Sequence, residues 1–457
     1  MNEYVSDIER EFLRLGICTA ADLAGALGIS QPTLSRALAA FPPGRLHRIG
    51  RGRSTRYALH QRFEGLGDHW PLYQIDEKGE ASQVAVLHAL QRGAWHVEQA
   101  HPWQTLRGSL FPDGVYPGWP WFLDDLRPQG FLGRLFARRF SVAYRVPDDA
   151  RLWTPEHILS ALVRKGDDLP GAFVVGDDML RIARQQRERC ISREERTEAY
   201  ARLAAKVLEG NWPGSSAAGE QPKFIATVEG HSGEVCPVIV KFSGDVNDPG
   251  QARRADLLIA EHWANESLRA AGIPAAKTEI LFHQNRSYLE SVRFDRTSVS
   301  GRRHVVSLLV FDAAYYGDLS SPWYQAARRL ERDGFLGAES AERMRIIWWF
   351  GQCIGNTDMH YGNLSLYLEP DWPLSLAPVY DMSPMALHPR SDGSLPDGLP
   401  EIVLPPPEEV SAYEKARSIA EDYRARVLSD SRVSSSFKAI VNGFGGTTGV
   451  GERRRML

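Results

Sequence analysis

Ile8, Phe12 and Leu15 recur at helical spacing and stop at Gly16, which predicts a first short helix. Thr19 with Asp22 three residues on has the form of a capping box, so a second helix is expected over residues 20–27, ending at Gly28. Ser30 caps a third, with Pro32 in its first turn and Leu34 and Leu38 facing inward. Gln31, Thr33 and Arg36 then fall on the outward side. Two short extended runs, 46–49 and 55–59, flank the glycine- and arginine-rich tip 50–54 and read as a hairpin. Farther on, the spacing predicts a helix over 154–165 and a strand over 172–175, and the alternating charges of 181–202 predict a solvent-facing helix. Tryptophans and prolines crowd 101–121, the pattern of a packed core. Strands are expected over 224–228, 238–241 and 289–294, with a helix over 255–271 between the last two. The Pro/Gly-rich stretch 382–410 reads as a loop and the tail after Gly443 as mobile.

Composition narrows the class. A chain of 457 residues needs two or three domains, and 43% apolar with 24% charged residues describes a soluble globular protein. No apolar run is long enough for a membrane span, and the first residues lack the layout of a signal peptide. Cys18, Cys190, Cys236 and Cys353 are scattered without a CxxC pair, consistent with a reducing, cytoplasmic setting. The net charge of −3 conceals an asymmetry: from Gln31 to Arg62 there are seven arginines and no acidic residue. Neutralising DNA phosphates is the simplest use for such a stripe on a helix-turn-helix with a basic wing. Gln31, Thr33, Arg36, Arg51, Arg53 and Arg56 are the expected contacts; a solvated basic face or a protein-docking module is the competing reading.

Chemistry concentrates between Ser215 and Asp381. Small residues from Ser215 to Gly219 precede Lys223, so backbone N–H groups there can approach phosphate oxygens. Lys241 follows eighteen residues later on a β-branched strand, where a lysine calls for an anionic partner. Glu261 and Glu266 are the candidates on the next helix. Asp358 precedes Asn363 by five residues, the spacing of a kinase catalytic loop, and Asp381 lies eighteen farther on. Asp358 would orient a hydroxyl, and Asn363 with Asp381 would ligate Mg²⁺. Each feature alone has a bland reading, a turn or an edge lysine; their order is what argues for phosphoryl transfer. His360 beside Asp358 offers a metal-hydrolase reading, but no second histidine stands at ligand spacing.

At Ser216–Lys223, the Lys241 strand, Arg293-Phe294-Asp295-Arg296, Gly355–Asn363 and Tyr380-Asp381 the chain resembles the HipA family of toxin–antitoxin kinases. It is similar in particular to the YjjJ-like members with a fused DNA-binding domain. Phe122–Gly133 and Asp167–Gly171 also resemble that family. The resemblance implies an α+β fold: a winged helix-turn-helix over 1–62, the family's N-terminal subdomain with the kinase N-lobe over 63–288, a mostly helical C-lobe over 289–442 and a flexible tail over 443–457. Ala218, Gly219, Lys223 and Lys241 would meet the ATP phosphates, and Val292 to Phe294 would flank adenine. Asp358 would be the catalytic aspartate. His360, Asn363, Tyr380 and Asp381 would complete the nucleotide and Mg²⁺ site. Ser216 matches the serine that the family autophosphorylates to silence itself. Expected partners are a protein phosphorylated on serine or threonine, such as an aminoacyl-tRNA synthetase or translation factor, and DNA; a homodimer is an arrangement left open. The chain departs from the family in having Val292 where many members have glutamate, Pro222 in the phosphate loop, and its own DNA-binding module. A transcription regulator with a catalytically silent kinase domain and a metal-dependent nuclease are the alternatives.

Overall fold

The computed structural model describes residues 4–100, 103–185, 190–209 and 221–443. Helices α1 (Val5–Leu15), α2 (Ala20–Leu27) and α3 (Gln31–Ala39) pack on a three-stranded sheet of order β1-β3-β2, built from β1 (Cys18–Thr19), β2 (Leu46–Ile49) and β3 (Arg56–Leu59). The capping box forms as the sequence predicts: the Asp22 N–H donates to Thr19 Oγ1, and the Thr19 N–H donates to Asp22. Gly28 ends α2 at φ 62°, a conformation that any Cβ would strain. Ile8, Phe12, Leu23, Leu34 and Leu59 close a core separate from that of the rest of the chain.

Strands β4 (His69–Ile75), β5 (Ala81–Ala89), β6 (Trp95–Gln99) and β7 (Val115–Tyr116) come next, with the short helix α4 (Gln104–Arg107) between the last two. After α5 (Gly130–Tyr144) and α6 (Pro155–Lys165), β8 (Phe173–Val175) joins the other edge, giving the order β7-β6-β5-β4-β8. Trp103, Tyr116 and Trp121 are buried, as the crowding of aromatics predicts.

The run 181–202 is not one solvent-facing helix. It divides between α7 (Asp177–Gln185) and α8 (Arg196–Glu209), and Ile191 instead pairs with the edge of the next sheet through Ile191 N–H to Thr227 O, 2.9 Å. Arg196 is buried and bonded to Glu279 and Glu290, because α8 lies across the face of that sheet and not out in solvent. Alternating charge misled here.

That next sheet has the order β11-β12-β10-β9, formed by β9 (Lys223–Glu229), β10 (Val235–Phe242), β11 (Thr278–His283) and β12 (Arg286–Val292). The division expected at residue 288 therefore falls inside β12. Helix α9 (Pro249–Ala270), capped by Asp248, lies between β10 and β11 in sequence and packs against β11 and β12. Beyond it stand β13 (Val305–Ser307), α10 (Leu308–Tyr315), α11 (Trp323–Arg332), α12 (Ala338–Ile354), β14 (Ser365–Tyr367), β15 (Ser375–Leu376), α13 (Val410–Ser429) and α14 (Ser435–Gly443). Among the described residues no helix is long and apolar enough to cross a membrane.

Candidate active site

Strand β10 is buried on Val238, Val240 and Phe242, so Lys241 projects to the opposite face of the sheet. Its ammonium donates to Glu261 Oε1 at 2.6 Å and Oε2 at 2.8 Å, and to Asp381 Oδ1 at 2.5 Å. Burial alone would push the Lys241 ammonium down; Asp381 and then Glu261 outweigh it and carry it above its ordinary value. Of the two glutamates offered by α9, Glu261 is the partner, whereas Glu266 pairs with Arg269 at the surface.

Burial would raise Asp381, but Lys241 and Lys223 hold its carboxyl at about 2, so it is ionised near neutral pH. Lys223 sits directly opposite Lys241 in the β9–β10 register. Two ammonium groups side by side repel unless anions lie between them. Asp381 itself takes φ 53°, a left-handed conformation that aspartate tolerates better than most residues.

Helix α12 ends at Gly355 with φ 75° and ψ 33°, and a Cβ there would lie 2.4 Å from Leu399. That turn releases the segment carrying Asp358. Asn363 donates from Nδ2 to the Asp358 carbonyl at 2.8 Å, which leaves its amide oxygen as an acceptor. His360 caps the following turn through Nδ1, accepting from the Gly362 N–H at 3.0 Å, and its Nε2 lies 3.8 Å from the exposed Asp358 carboxylate.

Two bonds tie this loop to Asp381. The Tyr380 hydroxyl donates to the Gly362 carbonyl at 2.9 Å. Buried Asn356 accepts the Asp358 N–H at 3.0 Å while its Nδ2 donates to Met382 Sδ at 3.3 Å. Sequence spacing did not single out Asn356, since a turn asparagine next to a more conspicuous Asp has no distinguishing pattern.

Val292 ends β12 opposite Val238, and the Phe294 ring lies 5.5 Å from that of Tyr380. Immediately after it, Asp295 accepts from Arg293 (2.9 Å), Arg296 (2.8 Å) and the Gly171 N–H (2.8 Å), and both arginines also bond Asp168. The two stretches 167–171 and 293–296 thus form one buried network that anchors the segment after β12 to the five-stranded sheet. Burial would raise Asp295; Arg293 and Arg296 depress it well below the carboxylate range.

Ser216, Ala218 and Gly219 lie outside the described residues, as does the side chain of Arg53. The described chain resumes beside the site, where Gln221 donates to the Phe242 carbonyl and Pro222 accepts the Phe242 N–H. In the N-terminal unit Gln31, Arg36 and Arg51 are exposed. The Thr33 hydroxyl is held by Ser30 at 2.9 Å, and Arg56 is paired with Asp113 at 2.6 Å.

The donors suit a hard divalent cation. Asp381 and Asn363 offer the oxygen ligands that Mg²⁺ prefers.

Residues 66–184 match the family described as YjjJ-like toxin, middle domain, and residues 215–439 match the HipA-like C-terminal domain. Toxin YjjJ of Escherichia coli (strain K12) is 37% identical over 435 residues, 94% of this chain and 94% of that protein. A chain of the HipA, HipB and operator DNA complex of Shewanella oneidensis MR-1 superposes with a TM-score of 0.51 at 15% identity, covering 82% of this chain and 94% of that one. The likeness to that complex concerns the fold.

Proposed function

Because this chain belongs to the YjjJ-like toxin family, within the HipA group, we propose that it is a Mg²⁺·ATP-dependent kinase acting on serine or threonine hydroxyls of a protein. The observation that carries this reading is Lys241 bonded at once to Glu261, 20 residues away, and to Asp381, 140 residues away. A kinase needs a strand lysine steadied in this way by a helix glutamate, beside an aspartate that can hold the metal. Bound Mg²⁺·ATP supplies the phosphoryl group and the metal charge that offsets its oxygens. Lys241 and Lys223 hold the phosphates by charge, with Glu261 fixing the Lys241 ammonium. Asp381 and the Asn363 amide oxygen hold the metal. Val292, Phe294 and Tyr380 supply apolar surface for the base. Asp358, exposed and restrained by Asn356 and Asn363, accepts the proton of the attacking hydroxyl and aims it. His360 sits beside Asp358 as a polar neighbour of the same loop.

The N-terminal unit has the helix order, capped turn and β2–β3 hairpin of a winged helix-turn-helix, which supports DNA binding through Gln31, Thr33, Arg36, Arg51, Arg53 and Arg56. HipB and operator DNA accompany HipA in the Shewanella complex; here the DNA-facing module belongs to the chain itself. Arg56 reaches DNA only by leaving Asp113.

Incubation with Mg²⁺·ATP followed by intact-mass measurement tests the kinase reading. The expected gain is one phosphoryl group localised to Ser216, with transfer lowered about 10²- to 10⁴-fold in Asp358→Ala, the range for loss of a general base. A chain that binds nucleotide yet transfers no phosphoryl group to itself or to any protein is the silent regulator instead.

A further inference from the structure

Five of the thirteen histidines gather at one place that the kinase reading leaves unused, the seam between the N-terminal unit and the five-stranded sheet. We propose that His47, His88 and His96 bind a divalent transition-metal ion there, Zn²⁺ being the ion their chemistry fits, so that the metal cross-links the two units. His88 and His96 are directly opposed on β5 and β6 and so present their side chains on one face of that sheet. His47 arrives from β2 and closes the triangle, its ring 4.2 Å from that of His88 and 4.9 Å from that of His96. All three are buried, and one ring nitrogen from each lies within 4.8 Å of the others.

The outer bonds decide which nitrogens face inward. His88 Nε2 pairs with Glu98 at 3.1 Å, while its Nδ1 is buried with no hydrogen-bond partner, in a residue only 9% exposed. His96 Nδ1 lies 2.8 Å from His47 Nε2, so these two nitrogens already face one another across the cluster. A histidine whose far nitrogen is fixed by a carboxylate or a carbonyl is the usual arrangement around a bound metal.

Zn–N bonds of about 2.0–2.1 Å set tetrahedral nitrogens roughly 3.3 Å apart, so the 2.8 Å pair must open by about half an ångström, with His47 in its other tautomer. Three imidazoles suit Zn²⁺, Cu²⁺ or Ni²⁺ and not Mg²⁺, which keeps this site distinct from the one at Asp381. The fourth position is left to water or to one of the neighbours His60, Asp68 and His69. Exposed His69 and Glu98 mark the way in from solvent.

Zn²⁺ titration of the chelator-stripped, full-length protein against a competing chromophoric chelator tests the site. One tight equivalent is expected. It should be lost in His88→Gln and His96→Gln, weakened 10- to 100-fold in Glu98→Gln (the range for removing a ligand's outer partner), and unchanged in Asp358→Ala. Equal stoichiometry in wild type and His88→Gln, or no tight equivalent in wild type, overturns the proposal. Should the histidine variants fail to fold, zinc-edge X-ray absorption of the loaded wild type decides. Imidazole scattering from three ligands supports the site, and a shell without it refutes the assignment.

Discussion

At the scale of the single residue, the site is governed by which charges face one another. Glu261 is the only carboxylate of α9 bonded to Lys241 among the described residues, so Glu261→Gln removes the contact that fixes the ammonium. Phosphoryl transfer should fall at least about tenfold, equivalent to some 1.4 kcal/mol of transition-state stabilisation. Glu266→Gln, five residues on, should leave the rate unchanged, because Glu266 pairs with Arg269 at the surface and not with Lys241. Radiolabel transfer from γ-labelled ATP in the two variants checks the assignment, and equal losses would refute it. Sequence inspection reached the need for a glutamate here and could not choose between the two. Five residues turn a helix by about 140°, so only the packing of α9 decides which one meets the lysine.

Elements carry the next level of explanation. The N-terminal unit depends on Gly28, where the backbone is left-handed and a Cβ would meet nothing within 4 Å. Gly28→Ala is therefore a test of conformation without crowding. It should lower stability by about 1–2 kcal/mol, read as a lower urea midpoint with an unchanged m-value. The wing between β2 and β3 offers a different test. Joint replacement of Arg51, Arg53 and Arg56 by alanine should weaken binding to promoter fragments and flatten the log–log salt slope by roughly three, about one for each lost phosphate contact. An unchanged slope would assign this basic face to solvent or to a protein partner. Caps and turns were legible in the sequence because their chemistry acts within four residues, as at Thr19–Asp22 and Ser30. The break between α7 and α8 was not, since it follows from Ile191 bonding to β9, a distant segment.

Across the whole molecule, the buried network around Asp295 joins the five-stranded sheet to the segment after β12, and through Phe294 to Tyr380 of the site. Asp295→Ala would leave Arg293 and Arg296 with Asp168 as their remaining charged partner. A cost of about 3–5 kcal/mol is expected, the range for breaking a buried ion pair from one side. Thermal melting of the variant checks it, and a loss under about 1 kcal/mol would mean that the network relaxes onto solvent. ATP affinity measured on the folded fraction should fall as well, because Phe294 is positioned through its neighbour.

The sequence by itself determined the alternation of the strands, the helix ends, and the order of lysine, glutamate, aspartate, asparagine and aspartate along the chain. These follow from backbone and side-chain chemistry between near neighbours, which acts before any fold exists. Tertiary structure alone decided that Glu261 and not Glu266 meets Lys241, that Asn356 spans the loop and Met382, and that Asp168 and Asp295 share two arginines. It also gathered five histidines that no spacing connects. Such meetings depend on the path of the chain between distant residues, and a hydrogen bond reaching about 3 Å leaves no periodic trace in the intervening sequence.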